Sequence, residues 1–129
     1  MILLDTHVWF YWVNDSLDEL SPNALQQIIK TETMHVNVIS CWEIAMLVAK
    51  ERLKLNLDVQ LWINRALETP GINLISIDPE IAVLSTRLPG HFHGDPADRL
   101  IAATALKYQV PLVTRDKKIH EWGHVEIIW

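Results

Sequence analysis

The sequence predicts an α/β fold with a mostly parallel central sheet flanked by helices. Short apolar segments alternate with helical segments of roughly ten residues, which is the pattern of strands joined by right-handed helical crossovers. The chain has 129 residues, of which 50% are hydrophobic and 21% charged, enough for a substantial core. No internal repeat or low-complexity segment divides it, so a single domain over residues 1–129 is expected.

The first part of the chain predicts a strand and two helices. Residues 1–4 are an apolar run that stops at Asp5-Thr6, as a short buried strand does. Residues 7–13 are apolar or aromatic without polar alternation, so this helix is either deeply buried or covered by another chain. Ser21-Pro22 then supplies an N-cap and a first helical residue for a helix that runs to about Glu32.

A second strand and two further helices follow. Residues 34–39 are β-branched and alternating enough for a strand. Ser40 and Glu43 have the Ser-x-x-Glu spacing of a capping box, which predicts a helix from this point to about Arg52. Residues 58–67 are amphipathic and predict another helix, which the turn residues Pro70-Gly71 follow.

The last part of the chain continues the alternation of strands and helices. Residues 72–77 predict a third strand, and Asp78-Pro79 opens a helix to about Leu88. A fourth strand over residues 110–113 ends in Thr114-Arg115-Asp116. A short turn or helix then precedes a fifth strand over residues 125–129, expected at the edge of the sheet.

The helix that begins near residue 95 has two interpretations. Asp95 suits the N-cap, Pro96 the first helical position, and Asp98 the third position, where a carboxylate meets free amides and the positive helix end. The apolar residues that follow extend this helix to about Gln109. The two carboxylates are explained by a helix start, and equally by a functional site at this end of the helix.

Four acids stand where an apolar run gives way to a turn or a helix start, and in a parallel sheet they would share one edge: Asp5, Glu43, Asp98 and Asp116. Carboxylates brought together repel one another, so such a group favours binding Mg²⁺ or Mn²⁺. A divalent ion there can activate water and stabilise the charge that develops on a phosphate. Each acid alone could also be a helix cap.

Other kinds of site have weaker support. His120 and His124 have half of a zinc-binding spacing, with His91, His93 and Cys41 elsewhere, but no paired Cys-x-x-Cys accompanies them. The glycine-rich motifs of dinucleotide-binding proteins and P-loop enzymes are absent, as is the Gly-x-Ser-x-Gly of serine hydrolases.

Charge and hydropathy limit the functions further. A formal net charge of -5 argues against a broad basic surface for nucleic acid, but not against a nuclease whose carboxylates hold a cation. Arg99 and Arg115 lie next to the acids, where they either contact a phosphate backbone or are solvated charges. No apolar window reaches the roughly 18 residues of a membrane span, and no signal peptide is evident, so a cytoplasmic protein is expected.

Taken together, four segments resemble those of the PIN-domain ribonucleases, and within them the VapC-like toxins of bacterial toxin–antitoxin pairs. The first segment resembles the family's opening strand with its first acid, and the second resembles the family segment that carries the second acid. The third resembles the family's most recognisable stretch, and the fourth resembles the family segment that carries the last acid. They are Leu3-Leu4-Asp5-Thr6-His7, Ser40-Cys41-Trp42-Glu43-Ile44-Ala45, Asp95-Pro96-Ala97-Asp98-Arg99-Leu100-Ile101-Ala102-Ala103 and Leu112-Val113-Thr114-Arg115-Asp116.

This resemblance implies a PIN-like three-layer fold and a Mg²⁺- or Mn²⁺-dependent endoribonuclease, active as a homodimer and held inactive by a small antitoxin. Asp5 and Asp98 would be the most direct metal ligands, with Glu43 and Asp116 completing the acidic pocket. Asp95 either joins the site or only caps the helix. The hydroxyl side chains that would orient waters or carboxylates are Thr6, Ser40 and Thr114.

Two other functions share these residues. An inactive PIN-like module would use the acids structurally and bind RNA or a partner protein without cutting. A metal-dependent phosphohydrolase would use the same pocket on a small phosphate ester. The family resemblance also suggests a use for the aromatic residues of the first helix, as part of a dimer or antitoxin surface: Trp9, Phe10, Tyr11 and Trp12.

Overall fold

Five strands form one sheet in the computed structural model, which describes all 129 residues. They are β1 (Ile2–Leu4), β2 (Met34–Asn37), β3 (Ile72–Ile75), β4 (Leu112–Val113) and β5 (Ile127–Ile128). Their order across the sheet is β3-β2-β1-β4-β5, and every neighbouring pair is parallel. The predicted α/β class is confirmed, and the sheet is wholly rather than mostly parallel.

Seven helices connect the strands. They are α1 (Thr6–Val13), α2 (Pro22–Lys30), α3 (Val38–Ala49), α4 (Val59–Leu67), α5 (Pro79–Leu84), α6 (Pro96–Tyr108) and α7 (Lys117–Trp122). A single 3₁₀ turn, Leu17–Glu19, lies between α1 and α2. None of the helices is both long and apolar enough to span a membrane.

The sheet separates two apolar cores, which gives the three layers of the fold. Ile2 and Leu4 of β1 belong to the core that includes side chains of α1, α2, α3 and α4, whereas Leu3 between them belongs to the core formed with α5, α6 and α7. This alternation follows from the two-residue period of a strand. Each large side chain buried in these cores contributes roughly 1.5–3 kcal/mol to folding.

Helix α1 is covered largely by its own chain. Trp9 is fully buried, and its ring packs edge-on against Trp62 of α4 at 5.4 Å between centroids. Phe10 also packs against Trp62, at 5.5 Å, while Tyr11 and Trp12 remain partly exposed. Intramolecular packing therefore accounts for much of the apolar sequence of this helix.

The capping box predicted from Ser40 and Glu43 is wrong. Strand β2 ends at Asn37, two residues earlier than predicted, and the Asn37 side chain caps α3 by accepting the N–H of Ile39 at 2.8 Å. The same side chain is fully buried and donates to the Thr104 hydroxyl of α6 at 2.7 Å. Because Asn37 is the cap of α3, Ser40 lies inside the first turn of this helix. The Ser40 hydroxyl bonds to the Thr6 hydroxyl instead.

Helices α3 and α5 end earlier than predicted. Helix α3 ends at Ala49, because Glu51 adopts a left-handed conformation with φ 58° that cannot continue a helix. Helix α5 ends at Leu84 rather than near Leu88, and the chain then makes turns in which Thr86 and Arg87 donate to carbonyls three residues back. The segment after α5 is thus free to form the loop that precedes α6.

The sheet topology determines where a site can form. Strands β1 and β4 are neighbours although they are far apart in sequence, and from β1 the chain proceeds first to one side of the sheet and later to the other. The carboxyl ends of β1 and β4 therefore flank the point where the strand order reverses, which is where open parallel sheets bind ligands.

Candidate metal centre at the carboxyl edge of the sheet

An open acidic pocket lies at this reversal point. Five carboxylates line it, and four of them are the acids that the sequence singles out: Asp5, Glu43, Asp98 and Asp116, with Asp95 as the fifth. Its remaining lining residues are His7, Val8, Tyr11 and Arg115. The predicted meeting of the four acids is present in the structure.

Helix starts bring four of these carboxylates to the pocket. Asp5 follows β1 and caps α1, Asp116 follows β4 and caps α7, and Asp95 caps α6. Asp98 lies in the first turn of α6, and its N–H donates to the Asp95 carboxylate at 3.0 Å. These acids therefore occupy helix starts and also line the pocket. The positive ends of the helices partly offset the negative charge.

Asp5 is held by both of its oxygens. Its Oδ1 accepts the N–H of Thr6 at 2.8 Å, and its Oδ2 accepts the hydroxyl of Thr114 at 2.6 Å. The Thr114 oxygen in turn accepts the N–H of Asp116 at 3.1 Å. One threonine after β4 therefore links the acids that follow two neighbouring strands, which supports its predicted role in orienting carboxylates.

Glu43 is held by a chain of hydroxyl groups. Thr6 Oγ1 lies 2.6 Å from Glu43 Oε1 and 2.8 Å from Ser40 Oγ, and both hydroxyl-bearing residues are buried. A threonine hydroxyl has one proton, which the carboxylate accepts, so the Ser40 hydroxyl donates to the Thr6 oxygen. This chain joins the start of α1 to the first turn of α3, and it is what occupies Ser40 in place of a capping role.

The carboxylates lie close enough to change one another's acidity. Burial, and after it the negative charges of neighbouring carboxylates, raise the pKa of Asp98 to about 8. Burial also raises the pKa of Asp5 and of Glu43, although hydrogen bonds from threonine side chains oppose the rise in both. The pocket is therefore a place where negative charge is poorly compensated.

The donor set fits a divalent cation. All five acidic side chains offer oxygen ligands, which Mg²⁺ and Mn²⁺ prefer. No lysine or arginine forms an ion pair with any of them, since Arg115 at the pocket rim pairs instead with Glu19 at 3.4 Å. A bound cation would supply the positive charge that the side chains lack.

The two arginines next to the acids have different surroundings. Arg115 is half-exposed at the rim, where it donates to the Tyr11 hydroxyl at 2.9 Å and stacks over the Tyr11 ring. Arg99 does not line the pocket: its guanidinium donates to the carbonyls of Ser85, Phe92 and His93 at 2.7, 2.9 and 3.0 Å. The sequence left Arg99 as either a phosphate contact or a solvated charge, and in the structure its guanidinium instead holds backbone carbonyls.

The histidines do not assemble the zinc site considered from the sequence. His120 Nε2 lies 2.6 Å from the Thr114 carbonyl oxygen, and His124 packs beside Trp122. The histidine that does reach the acids is His93. Its Nε2 lies 3.3 Å from Asp98 Oδ2, and potential ligand atoms of His93, Asp98 and Asp116 lie within 4.8 Å of one another.

The chain matches a known protein family along most of its length. The family model described as "PIN domain" matches residues 2–124. The chain belongs to the PIN-domain family. The match covers all four segments that carry the acids of the pocket.

Individual relatives support the same assignment. This PIN domain is 37% identical over 123 residues to Ribonuclease VapC22 of Mycobacterium tuberculosis, covering 95% of this chain and 92% of the relative. Among solved structures, VapBC2 from Rickettsia felis bound to a promoter DNA fragment has a TM-score of 0.69 at 23% identity, covering 98% and 97% of the two chains. DNA-bound VapBC from Salmonella typhimurium has a TM-score of 0.70 at 14% identity, with the same coverage. At these identities the two structures show a shared fold.

Some residues of this PIN domain were not predicted for the site. His7 and Tyr11 line the pocket from the first turns of α1, although the sequence marks Tyr11 only as part of an apolar face. His93 lies two residues before Asp95, and this short spacing from the acidic segment is the signal that could have found it.

Proposed function

We propose that this PIN domain is a metal-dependent endoribonuclease, the toxin of a toxin–antitoxin pair, which hydrolyses RNA phosphodiester bonds. The observation that supports the proposal most is the meeting of Asp5, Glu43, Asp98 and Asp116 in one pocket, where no lysine or arginine forms an ion pair with them. The relative that is 37% identical over 95% of the chain is named a ribonuclease.

The ion that fits this pocket is Mg²⁺ or Mn²⁺. Asp5 and Asp98 would hold it most directly, and Glu43 and Asp116 would complete its surroundings. When bound, such an ion makes water a stronger nucleophile at neutral pH and offsets the charge that develops on the phosphate.

The protein contributes orientation and proton control. The threonine hydrogen bonds to Asp5 and Glu43 fix the carboxylates before substrate arrives, so little reorganisation is needed when the ion binds. Burial and the neighbouring carboxylates raise the pKa of Asp98 to about 8, so at neutral pH this side chain would have to release a proton in order to serve as a ligand.

The rim of the pocket is where we place the RNA. Arg115 lies over the Tyr11 ring at 5.3 Å, and about half of its side chain is exposed. A guanidinium held in this way can meet a phosphate oxygen, and the neighbouring aromatic ring can stack on a base. Because the net charge is -5, this contact is local rather than part of a broad basic surface.

The proposal is tested by cleavage of a mixed RNA pool with Mg²⁺, Mn²⁺ or EDTA. We expect cleavage that requires the ion and that falls by roughly 100-fold or more in Asp98→Asn, which keeps the shape and removes the charge. The matched control is Asp58→Asn, an acid that caps α4 outside the pocket and is expected to leave cleavage unchanged.

Other results would favour the other functions. Cleavage in EDTA, or full activity of Asp98→Asn, contradicts the metal-site assignment. Absence of cleavage together with absence of Mn²⁺ binding favours the inactive binding module. Hydrolysis of small phosphate esters but not of RNA favours a phosphohydrolase.

The partners are also part of the proposal. We infer a homodimer and a small cognate antitoxin in the cytoplasm; VapBC and other toxin–antitoxin complexes are among the similar structures. The partly exposed aromatic residues of α1 and the 56% exposed Trp42 of α3 are candidates for the contact surface. A monomer that binds no co-expressed small partner in size-exclusion chromatography with light scattering contradicts this inference.

A further inference from the structure

His93 lies on the loop between α5 and α6, two residues before the cap of α6. Its Nδ1 accepts the N–H of Asp95 at 3.3 Å. Its Nε2 is shielded from solvent, makes no regular hydrogen bond, and lies 3.3 Å from Asp98 Oδ2. The imidazole thus connects the backbone at the start of α6 to a carboxylate in the first turn of the same helix.

These contacts determine which nitrogen bears the proton. Because Nδ1 accepts a backbone N–H, the proton of the neutral ring is on Nε2. Nε2 therefore bears a hydrogen rather than a lone pair, and it lies 3.3 Å from Asp98 Oδ2 without a regular hydrogen bond between them. Direct metal binding by Nε2 would require the other tautomer, which has no lone pair for the N–H of Asp95.

The surrounding residues hold the ring in place. The imidazole stacks on Phe92, with centroids 4.7 Å apart and planes 23° apart. Phe92 is buried and packs edge-on against Trp122 of α7 at 5.0 Å. Arg99 holds the carbonyls of both Phe92 and His93, so a helix that contributes an acid to the pocket also fastens the loop beside it.

We propose that His93 is a positioning residue of the acidic pocket, which acts through Asp98. A small rotation of the Asp98 carboxylate would let the Nε2–H, which lies 3.3 Å from Oδ2, donate to one oxygen and leave the other for the cation. Asp98 would then present a single, oriented ligand atom. Arg99 supports the same arrangement by holding the loop. The inference rests on the proposed metal site and adds to it a residue outside the four acids.

The competing arrangement is direct coordination by His93. Potential ligand atoms of His93, Asp98 and Asp116 are close enough to share one ion. A nitrogen ligand would favour Ni²⁺ over Mn²⁺, because imidazole suits the former better and oxygen donors suit the latter. The two arrangements therefore differ in how a His93 variant changes the preference among metals.

The test is the binding of Mn²⁺ and Ni²⁺ to the whole chain by titration calorimetry, with thermal denaturation in EDTA to establish folding. His93→Phe keeps the stacked ring and removes the donor, and we expect it to weaken Mn²⁺ binding by roughly 10–100-fold. His93→Gln keeps an N–H donor, and we expect it to retain most of the affinity. His91→Phe, an exposed histidine of the same loop, is the matched control and should bind as the unchanged protein does.

Each outcome separates the possibilities. Equal Mn²⁺ affinity in His93→Phe and the unchanged protein overturns the inference, as does an equal loss in His93→Gln and His93→Phe. A much larger loss for Ni²⁺ than for Mn²⁺, with imidazole nitrogen coupling in the Mn²⁺ electron spin echo spectrum of the unchanged protein, assigns His93 as a ligand instead. If the unchanged protein binds no Mn²⁺, the proposed metal site fails, and the role of His93 fails with it.

Discussion

At the scale of single residues, one carboxylate serves two purposes. The backbone bond that makes Asp95 or Asp116 a cap uses one side-chain oxygen, which leaves the other for the pocket. Asp5 differs because both of its oxygens are already bonded. The cap bonds thus help to fix the direction of the acids that line the pocket. The same arrangement places like charges close together.

Removing one of these charges should stabilise the metal-free protein. The pKa of Asp98 is about 8 in the folded state against an ordinary 3.8, so its ionisation disfavours folding increasingly as pH rises through this range. We expect Asp98→Asn to be more stable in EDTA by roughly 1–2 kcal/mol at pH 8, after allowance for solvent screening, and by less at pH 5. Urea denaturation at the two pH values measures this difference. A variant that is less stable at pH 8 contradicts the electrostatic account.

The same proton should couple metal binding to pH. Below about pH 8 the ion must displace the proton of Asp98, so Mn²⁺ affinity should increase with pH by up to about tenfold per pH unit and level off above that value. Calorimetry at pH 6, 7 and 8 in buffers of different ionisation enthalpy measures both the affinity and the released proton. Affinity that is constant over this range, with no proton released, would show that Asp98 is already ionised.

At the scale of secondary-structure elements, Asn37 connects three parts of the fold. It ends β2, caps α3 and donates to Thr104 of α6. Elements with a clear pattern could be predicted from the sequence, among them the apolar run of β1 and the cap and proline that start α6. The start of α3 could not be predicted, because Ser40 and Glu43 match a capping box. The residue that actually caps the helix is Asn37, and its side chain is held in place by a tertiary contact to Thr104.

Truncation of Asn37 tests this connection. Asn37→Ala removes a cap and leaves the buried Thr104 hydroxyl without its donor, so we expect a loss of about 2–4 kcal/mol in the free energy of unfolding. The reference is Asp58→Ala, an exposed cap of α4, for which the loss should be about 1 kcal/mol. Equal losses for the two variants in urea denaturation would mean that the bond to Thr104 adds nothing.

At the scale of the whole molecule, strand order determines the pocket. The chain crosses to the far side of β1 only after α6, and this crossover brings Thr114 and Asp116 next to Asp5. The sequence indicates that the acids share an edge, because parallel strands end on one side. It does not indicate the hydroxyl chain that joins Ser40, Thr6 and Glu43, since this chain depends on β1 and β2 being neighbours. The contact of His93 with Asp98 is local and depends instead on the conformation of the loop before α6. A single domain over residues 1–129 stays a prediction.

We propose above that the carboxylates at the carboxyl edge of the sheet form a metal centre. The most direct measurement is an anomalous difference map at the manganese absorption edge, from crystals of the unchanged chain grown with Mn²⁺. We expect a peak in the acidic pocket, in contact with carboxylate oxygens of Asp5 and Asp98. Absence of a peak there while Mn²⁺ binds elsewhere, for example beside His120 and His124, would contradict it.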